Sequence, residues 1–164
     1  MPLLAVTAQP LSVEKLSAEV AALSASQGEG CGAVTSFAGL VRAHHQGRRV
    51  TYLEYEAYEP LALNAFEQIQ RESAELWPGV IVGLHHRVGR LEIGEASIVI
   101  AAASAHRAAS FEVCRYAIER VKQIAPVWKH EYFDEGAAWV EGAVADPDDP
   151  AAKAIAKARA CAST

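Results

Sequence analysis

The segment 96-ASIVIAAA-103 constrains the fold most, because it is apolar on both of its alternating faces. A strand of this kind must be covered from both sides, which is typical of the centre of a sheet with helices packed against it. The sequence therefore predicts a layered domain of strands and helices around this segment. At 164 residues the chain is long enough to bury such a core without disulfides or a metal.

Two long segments carry apolar or small side chains at helical spacing, and each predicts an amphipathic helix. In 60–77 these residues are Ala62, Phe66, Ile69, Ser73 and Leu76. In the second segment, 105–124, the residues at this spacing are Phe111, Cys114, Ile118 and Val121, and Ala125 continues the pattern directly after it. Pro60 suits the first turn of one helix, and Pro126 ends the other. A shorter helix is predicted over 13–23, with Ser12 as its cap.

The remaining segments predict further strands and a tail. The strands are expected at 3–7, 31–42, 49–58, 80–87, 91–93, 127–133 and 137–141. In 49–58 Leu53 and Tyr55 should face the core, and Tyr52 and Glu54 the opposite side. Residues 43–48 are polar and predict an exposed, mobile loop. The order of elements predicts an α+β domain over 1–145, with a mixed, partly antiparallel sheet. Residues 146–164 form an acidic, then Ala/Lys-rich tail, either a frayed helix or flexible.

Charge and cysteine content narrow the class of protein. The net charge is −5 and no basic tract occurs, which argues against general nucleic-acid binding. Cys31, Cys114 and Cys161 are odd in number and form no CxxC motif, as expected for free thiols in a reducing compartment. The first residues predict no signal peptide, and no apolar segment reaches the ~18 residues of a membrane span. We therefore expect a cytoplasmic protein.

Several basic residues follow strands or end helices in this acidic chain. His106 and Arg107 lie where the central strand turns into a helix, and helix N-termini favour anions. Lys122 closes that helix, Lys129 follows Pro126, and Arg42 follows a buried strand. Two lysines near an anion can supply an amine base or nucleophile. From the residues alone, exposed charges and ordinary ion pairs explain His106, Arg107 and the two lysines better than a site does. They explain Arg42 equally well.

The sequence contains none of the common motifs for metal, nucleotide or nucleophilic active sites. HExxH, CxxC, GxSxG, GxxxxGK[ST] and GxGxxG are absent, so no metal or cofactor is expected. The pairs His44–His45 and His85–His86 would point to opposite faces of a strand. Cys31 and Cys114 fall in apolar patterns that predict burial, where a thiol is inert.

Five blocks, in order along the chain, resemble one family. They are SFAGLVR (36–42), LEYEAY (53–58), HRVGRLEIGE (86–95), SAHRAASF (104–111) and KQIAPVWKHE (122–131). They are similar to the large, catalytic subunit of molybdopterin synthase, and the resemblance covers residues 31–141.

The resemblance implies an α/β-hammerhead fold and a central homodimer within a 2:2 heterotetramer. A small ubiquitin-like subunit would dock at each end and insert its C-terminal Gly-Gly thiocarboxylate. Its sulfur would be transferred to cyclic pyranopterin monophosphate (precursor Z), giving the molybdopterin dithiolene. Both substrates are anions, which explains the basic residues, and the sulfur arrives on the partner, so no cysteine is needed. The exposed face with Tyr52 and Tyr58 is a candidate interface. The alternative is a non-catalytic module that docks a ubiquitin-like tail.

The resemblance also implies a role for each basic block. The backbone of Leu40 and Val41, with Arg42, would line the substrate site. His106 and Arg107 would bind the phosphate or the pterin. Lys122 and Lys129 would lie at the sulfur-transfer centre, and the wall of that centre would continue through His130 and Glu131.

Overall fold

The computed structural model describes residues 2–28, 30–140, 142 and 145–162. Its elements, in chain order, are β1 (Leu4–Thr7), α1 (Val13–Ser26), β2 (Ala33–Leu40), β3 (His44–His45), β4 (Arg48–Ala57), α2 (Glu59–Leu76), β5 (Ile81–Arg87), β6 (Gly89–Glu92), β7 (Ala96–Ser104), α3 (Arg107–Ile124), β8 (Val127–Phe133), β9 (Ala137–Val140) and α4 (Pro150–Cys161). This order confirms the α+β fold. The predicted end of the last strand, Glu141, lies outside the described residues. None of the described helices is both long and apolar enough to cross a membrane.

The first sheet has the strand order β1-β5-β7-β2 and confirms the central position of the apolar segment. Strand β7 pairs antiparallel with β5 and β2, whereas β1 pairs parallel with β5, so the sheet is mixed as predicted. Helix α1 packs Leu16 and Val20 against one face of β7. Helices α2 and α3 cover the other face, where Phe66 and Val113 join the largest core cluster. Both faces of β7 are therefore buried, as its sequence requires.

The second sheet has the order β3-β4-β8-β9, with β6 also paired to β4. The predicted alternation of β4 is confirmed, because Leu53 is buried while Tyr52 lies on the opposite face. The Tyr52 ring stacks on Tyr132 with centroids 4.2 Å apart, so it packs within the chain. Tyr58 is 60% exposed and remains available as a contact residue.

Residues 43–48 form a hairpin, which corrects the prediction of a loop. His44 and His45 make the short strand β3 and pair with Arg49 and Arg48 of β4. The turn between them is Gln46–Gly47, with φ of 49° and 77°. Two positive φ angles give the turn that matches the twist of paired strands, and glycine adopts such an angle without strain. The polar composition of the segment concealed this turn.

The tail, predicted as either a frayed helix or flexible, forms helix α4 over Pro150–Cys161 and packs on α3. Its small residues Ala152, Ala156 and Ala160 are buried. Beneath it, the fully buried Arg120 of α3 donates to both carboxylate oxygens of Glu72 of α2, at 2.7 and 2.8 Å. The same guanidinium donates to the carbonyl of Pro147 at 2.8 Å. One buried ion pair thus ties α2, α3 and the C-terminal segment together.

Candidate active site

A cavity of about 680 Å³ lies where the end of β2, the β3–β4 hairpin, the last turns of α3 and strand β8 meet. Leu40, Val41 and Arg42 line it from the end of β2. Lys122 enters from the last turn of α3, and Lys129 from β8. The fold therefore gathers around one space several residues that are distant in the sequence. The other lining residues with titratable side chains are His44, His45, Tyr55, His86 and Glu131.

The lining is locally basic although the chain carries a net charge of −5. Arg42, Lys122 and Lys129 face the cavity with Glu131 as the one carboxylate among its described lining residues. Arg42 and Lys122 are exposed, whereas the Lys129 side chain is only 26% exposed. This excess of positive charge favours an anionic ligand.

Glu131 is the electrostatic centre of this lining. Its side chain is 4% exposed, and Lys129 Nζ donates to its Oε1 at 2.7 Å. The Nδ1 of His45 lies 2.6 Å from its Oε2 and donates to it, because a carboxylate only accepts. Burial works to raise the pKa of Glu131, but the hydrogen bonds from Lys129 and His45 outweigh it and hold this pKa below its usual value. The carboxylate is therefore ionised at neutral pH and holds two donors at once.

His86 gives the cavity a wall that does not titrate near neutral pH. The ring is buried and meets Tyr55 edge-on at 5.1 Å. Its Nδ1 donates to the carbonyl of Arg87 at 2.9 Å. Burial lowers the pKa of His86 to about 4, against the weaker opposing effect of that hydrogen bond. His86 is thus neutral at pH 7 and adds nothing to the positive charge of the cavity.

His130 lies on the other face of β8. Neighbouring side chains of a strand alternate, so Lys129 and Glu131 face the cavity while His130 faces away. Its ring stacks on Trp139 of β9, with centroids 4.4 Å apart and an interplanar angle of 6°. The structure therefore does not bring His130 into the cavity with the other predicted wall residue.

His106 and Arg107 lie at the opposite end of α3 from Lys122. His106 is the N-cap and Arg107 the first helical residue, and both are exposed. At about 1.5 Å per residue, Arg107 and Lys122 are about 22 Å apart along the helix axis. Gly32, just before β2, packs so closely here that a Cβ atom on it would lie 2.4 Å from the carbonyl oxygen of Ala105. Within one chain these two residues are remote from the cavity.

Comparison with known proteins identifies the family. The family model described as "MoaE protein" matches residues 6–124, which is more than half of the chain. The chain belongs to the MoaE family.

Individual relatives agree with this assignment over most of their length. The molybdopterin synthase catalytic subunit of Bacillus subtilis (strain 168) is 44% identical over 135 residues, covering 82% of either chain. The human protein of the same name is 41% identical over 133 residues, which is 81% of this chain and 68% of the human one. The crystal structure of molybdopterin synthase from Staphylococcus aureus superposes with a TM-score of 0.79 at 36% identity, covering 86% of this chain and 98% of that one.

The thiols of this MoaE-family chain lie away from the cavity. None of the described residues that line it is a cysteine. Cys114 is buried as predicted, and burial raises its pKa to about 12, so it stays a thiol. Cys31 is only partly buried, which corrects the prediction of burial, and Cys161 is exposed. Within one chain, therefore, no cysteine is positioned to supply a thiolate nucleophile to the cavity.

Sequence reasoning missed His44, His45 and His86 as lining residues of this MoaE-family site. His45 contacts Glu131 across 86 positions of sequence, so no local pattern indicates their contact. His86 lies near the end of the mainly apolar strand β5, and this pattern indicates burial but no role in a site. The sequence predicts that the two members of each adjacent histidine pair point to opposite faces of a strand, which argues against a metal site. The structure places His44, His45 and His86 on the cavity lining and leaves only His85 of the two pairs away from it.

Proposed function

We propose that this chain is the catalytic subunit of a molybdopterin synthase. It transfers sulfur from the thiocarboxylated C-terminus of a small ubiquitin-like subunit to cyclic pyranopterin monophosphate and so forms the molybdopterin dithiolene. The observation that carries the proposal is a cavity in which Arg42, Lys122 and Lys129 face one carboxylate, in an acidic chain of the MoaE family. Two anions that must meet need a site of this charge.

The two lysines are the proposed catalytic residues. Lys122 is exposed at the helix end, where it can meet an incoming terminal thiocarboxylate. Lys129 is held by the buried Glu131 and so presents its ammonium from a fixed position. Arg42 and the backbone of Leu40 and Val41 would bind the substrate beside them. His130, on the opposite face of β8, would support the position of Lys129 and Glu131 through its stack on Trp139.

The proposed partner is the small subunit whose C-terminal glycines enter the cavity. A glycine tail is narrow and brings no Cβ atoms, so it can pass between side chains. We further propose that residues 1–145 form the catalytic domain, with 146–162 as its packed extension, and that the protein works in the cytoplasm. The three free thiols support that location, because thiols remain reduced there.

A homodimer through β2 would account for the remote position of His106 and Arg107. In the described part of the chain β2 is an edge strand of the first sheet. It exposes Val34, Phe37 and Leu40 by 40%, 37% and 56%. An exposed edge strand with apolar side chains is a template for pairing with another chain. A two-fold axis would pair β2 with its own copy in antiparallel orientation.

Such pairing would join the two halves of the predicted site. Ala33, at the start of β2, pairs with Ser104 beside the His106 turn, whereas Arg42 follows the end of β2 at the cavity. The eight residues of β2 extend over about 26 Å, close to the ~22 Å that separate Arg107 from Lys122. An antiparallel copy would therefore bring its His106 and Arg107 to the cavity of the first chain.

Reconstitution tests the function. The chain is mixed with a thiocarboxylated small subunit and cyclic pyranopterin monophosphate, and molybdopterin is measured. Product formation that needs both substrates supports the synthase. Tail binding without product would favour the non-catalytic docking module, and neither binding nor product would reject both.

A further inference from the structure

We propose that His45 is a positioning residue, which holds Glu131 so that Glu131 in turn holds the Lys129 amine at the cavity. The inference deepens the proposed function and rests on Lys129 acting there. His45 does not need to touch either substrate for this role. It acts through one carboxylate that two donors share.

The geometry of the shared carboxylate carries the argument. Glu131 is 4% exposed, and each of its oxygens has one strong donor, Lys129 Nζ at 2.7 Å and His45 Nδ1 at 2.6 Å. A buried carboxylate oxygen without a donor is costly, so loss of His45 would force a rearrangement. The simplest one turns both oxygens toward the remaining ammonium. Lys129 would then be drawn back toward Glu131 and away from the cavity.

The hairpin that carries His45 is fixed to the second sheet independently of Glu131. The guanidinium of Arg48 lies 3.6 Å from the ring centroid of Phe133 on β8. Arg48 Nη2 also donates to the carbonyl of Glu135 at 3.0 Å, and the Val50 amide donates to the Ala43 carbonyl at 2.8 Å. These contacts hold the hairpin in place, so the imidazole of His45 approaches Glu131 from a fixed position. His45 is therefore placed to determine the position of the carboxylate.

A matched pair of variants separates hydrogen bonding from bulk. His45→Asn keeps an N–H donor close to the position of Nδ1, whereas His45→Leu has a similar size and no donor. In the reconstituted synthase we expect His45→Leu to lower kcat roughly tenfold or more, because small displacements of a reacting group are costly. Its KM for the pterin should change less than about threefold, since Arg42 is untouched. His45→Asn should keep kcat within about threefold of wild type. Arg49→Leu, on the same hairpin and 72% exposed, is the control for damage to the hairpin itself.

Amine labelling gives a second readout that does not depend on activity. The folded chain is treated briefly with an amine-acylating reagent, and modification of Lys129 is measured by mass spectrometry against Lys122. Lys122 lines the same cavity from α3 and serves as the internal reference. We expect the ratio of Lys129 to Lys122 labelling to fall about threefold in His45→Leu and to recover in His45→Asn, because a carboxylate with two oxygens on one ammonium holds it more tightly.

The outcomes distinguish this inference from the proposed function. An inactive wild type would reject the synthase but leave the labelling test of His45 intact. An active wild type with unchanged kcat in His45→Leu would overturn the positioning role alone. An unchanged or higher labelling ratio in His45→Leu, or equal losses in the Asn and Leu variants, would overturn it as well.

Discussion

At the scale of single residues, the two proposed catalytic lysines differ in what holds them. Lys122 is exposed in the last turn of α3, where a positive charge is favourable but weakly held. Lys129 is 26% exposed and bonded to a carboxylate that is 4% exposed. Removing Lys129 leaves Glu131 with His45 as its donor, whereas removing Lys122 disturbs an exposed side chain. Loss of either amine should therefore reduce catalysis strongly. Loss of the Lys129 amine should lower the free energy of unfolding more than loss of the Lys122 amine.

Lys122→Ala and Lys129→Ala should each abolish most sulfur transfer. The free energy of unfolding should change by less than about 0.5 kcal/mol for Lys122→Ala, as for other exposed positions. Lys129→Ala should cost about 1–3 kcal/mol, because a buried carboxylate loses a donor. Urea denaturation and the reconstituted assay measure the two effects. Near-full activity in both variants would show that the amines are not catalytic.

His86 should make the folded state sensitive to mild acid. Its pKa is about 4 in the folded chain, lowered by burial, against 6.5 for the ordinary side chain. Between these values the unfolded chain binds more protons, so stability is fully present above pH 6.5 and is lost as the pH falls toward 4. When the pH is lowered from 7 to 5, protonation of His86 in the unfolded chain should reduce the free energy of unfolding by about 2 kcal/mol.

The histidine test compares unfolding free energies at pH 7 and pH 5. In His86→Asn, which keeps a donor toward the Arg87 carbonyl, the pH-dependent loss should shrink by about 2 kcal/mol whatever the absolute stability. His44→Asn, an exposed histidine on β3, is the matched control and should retain the loss. Equal pH dependence in wild type and His86→Asn would contradict the assignment.

At the scale of elements, periodicity predicted what depends on local pattern. The spacing of apolar side chains placed α2 and α3 within two residues of Glu59–Leu76 and Arg107–Ile124. The apolar and small residues on both faces of β7 predicted its position at the centre of its sheet, because burial on both faces restricts the side chain at nearly every position. The sequence predicted a loop where the β3–β4 hairpin lies, because β3 has only two residues and a polar segment is also typical of a loop. The packing of α4 was also left open, because its anchor is a buried arginine, a residue type expected at the surface.

The pair of Arg120 and Glu72 should dominate the stability of the helical layer. Glu72→Gln leaves a fully buried guanidinium without its counter-charge, which typically costs about 3–5 kcal/mol. The melting temperature should then fall by roughly 6–20 °C for a chain of this size. The double variant Glu72→Leu/Arg120→Leu should lose less than the sum of Glu72→Leu and Arg120→Leu, because neither member of the buried pair then remains without the other.

A thermodynamic cycle on the wild type, Glu72→Leu, Arg120→Leu and the double variant measures that coupling. The cavity lining comes from residues 37–142 and includes neither member of the pair, so transfer by the folded variants should persist at temperatures well below melting. Additive losses in the cycle would mean that the pair contributes as two separate contacts rather than as one ion pair.

At the scale of the whole molecule, the predicted site divides into two groups. The structure gathers Arg42, Lys122, Lys129 and Glu131 around the cavity, and leaves His106 and Arg107 at the far end of α3. The resemblance to a family supplied all of these residues together, without their positions in space. Sequence could not separate them, because a residue that serves the site of a neighbouring copy leaves the same signal as one that serves its own. In the proposed dimer the two groups meet, because β2 pairing brings His106 and Arg107 of one copy to the cavity of the other.

Mixed dimers test whether the site is shared between copies. Lys129→Ala and Arg107→Ala chains, each expected to be nearly inactive alone, are co-expressed with different tags and purified together. If each site takes Lys129 from one copy and Arg107 from the other, a mixed dimer contains one site with both defects and one site with neither. If each site lies within one chain, every site of the mixed dimer carries a defect.

Recovery of activity therefore decides between the two arrangements. Dimers isolated through both tags should transfer sulfur at about half the wild-type rate, and a randomly paired mixture at about a quarter, because half of its dimers are mixed. The matched control pairs Lys129→Ala with Lys122→Ala, two residues of the same cavity, and should recover in the same way only if those lysines also come from different copies. Light scattering must first give a mass near twice 17.5 kDa for the chain alone. A monomer at micromolar concentration, or a mixed dimer as inactive as its parents, would mean that His106 and Arg107 serve the protein in some way other than completing the cavity of a partner copy.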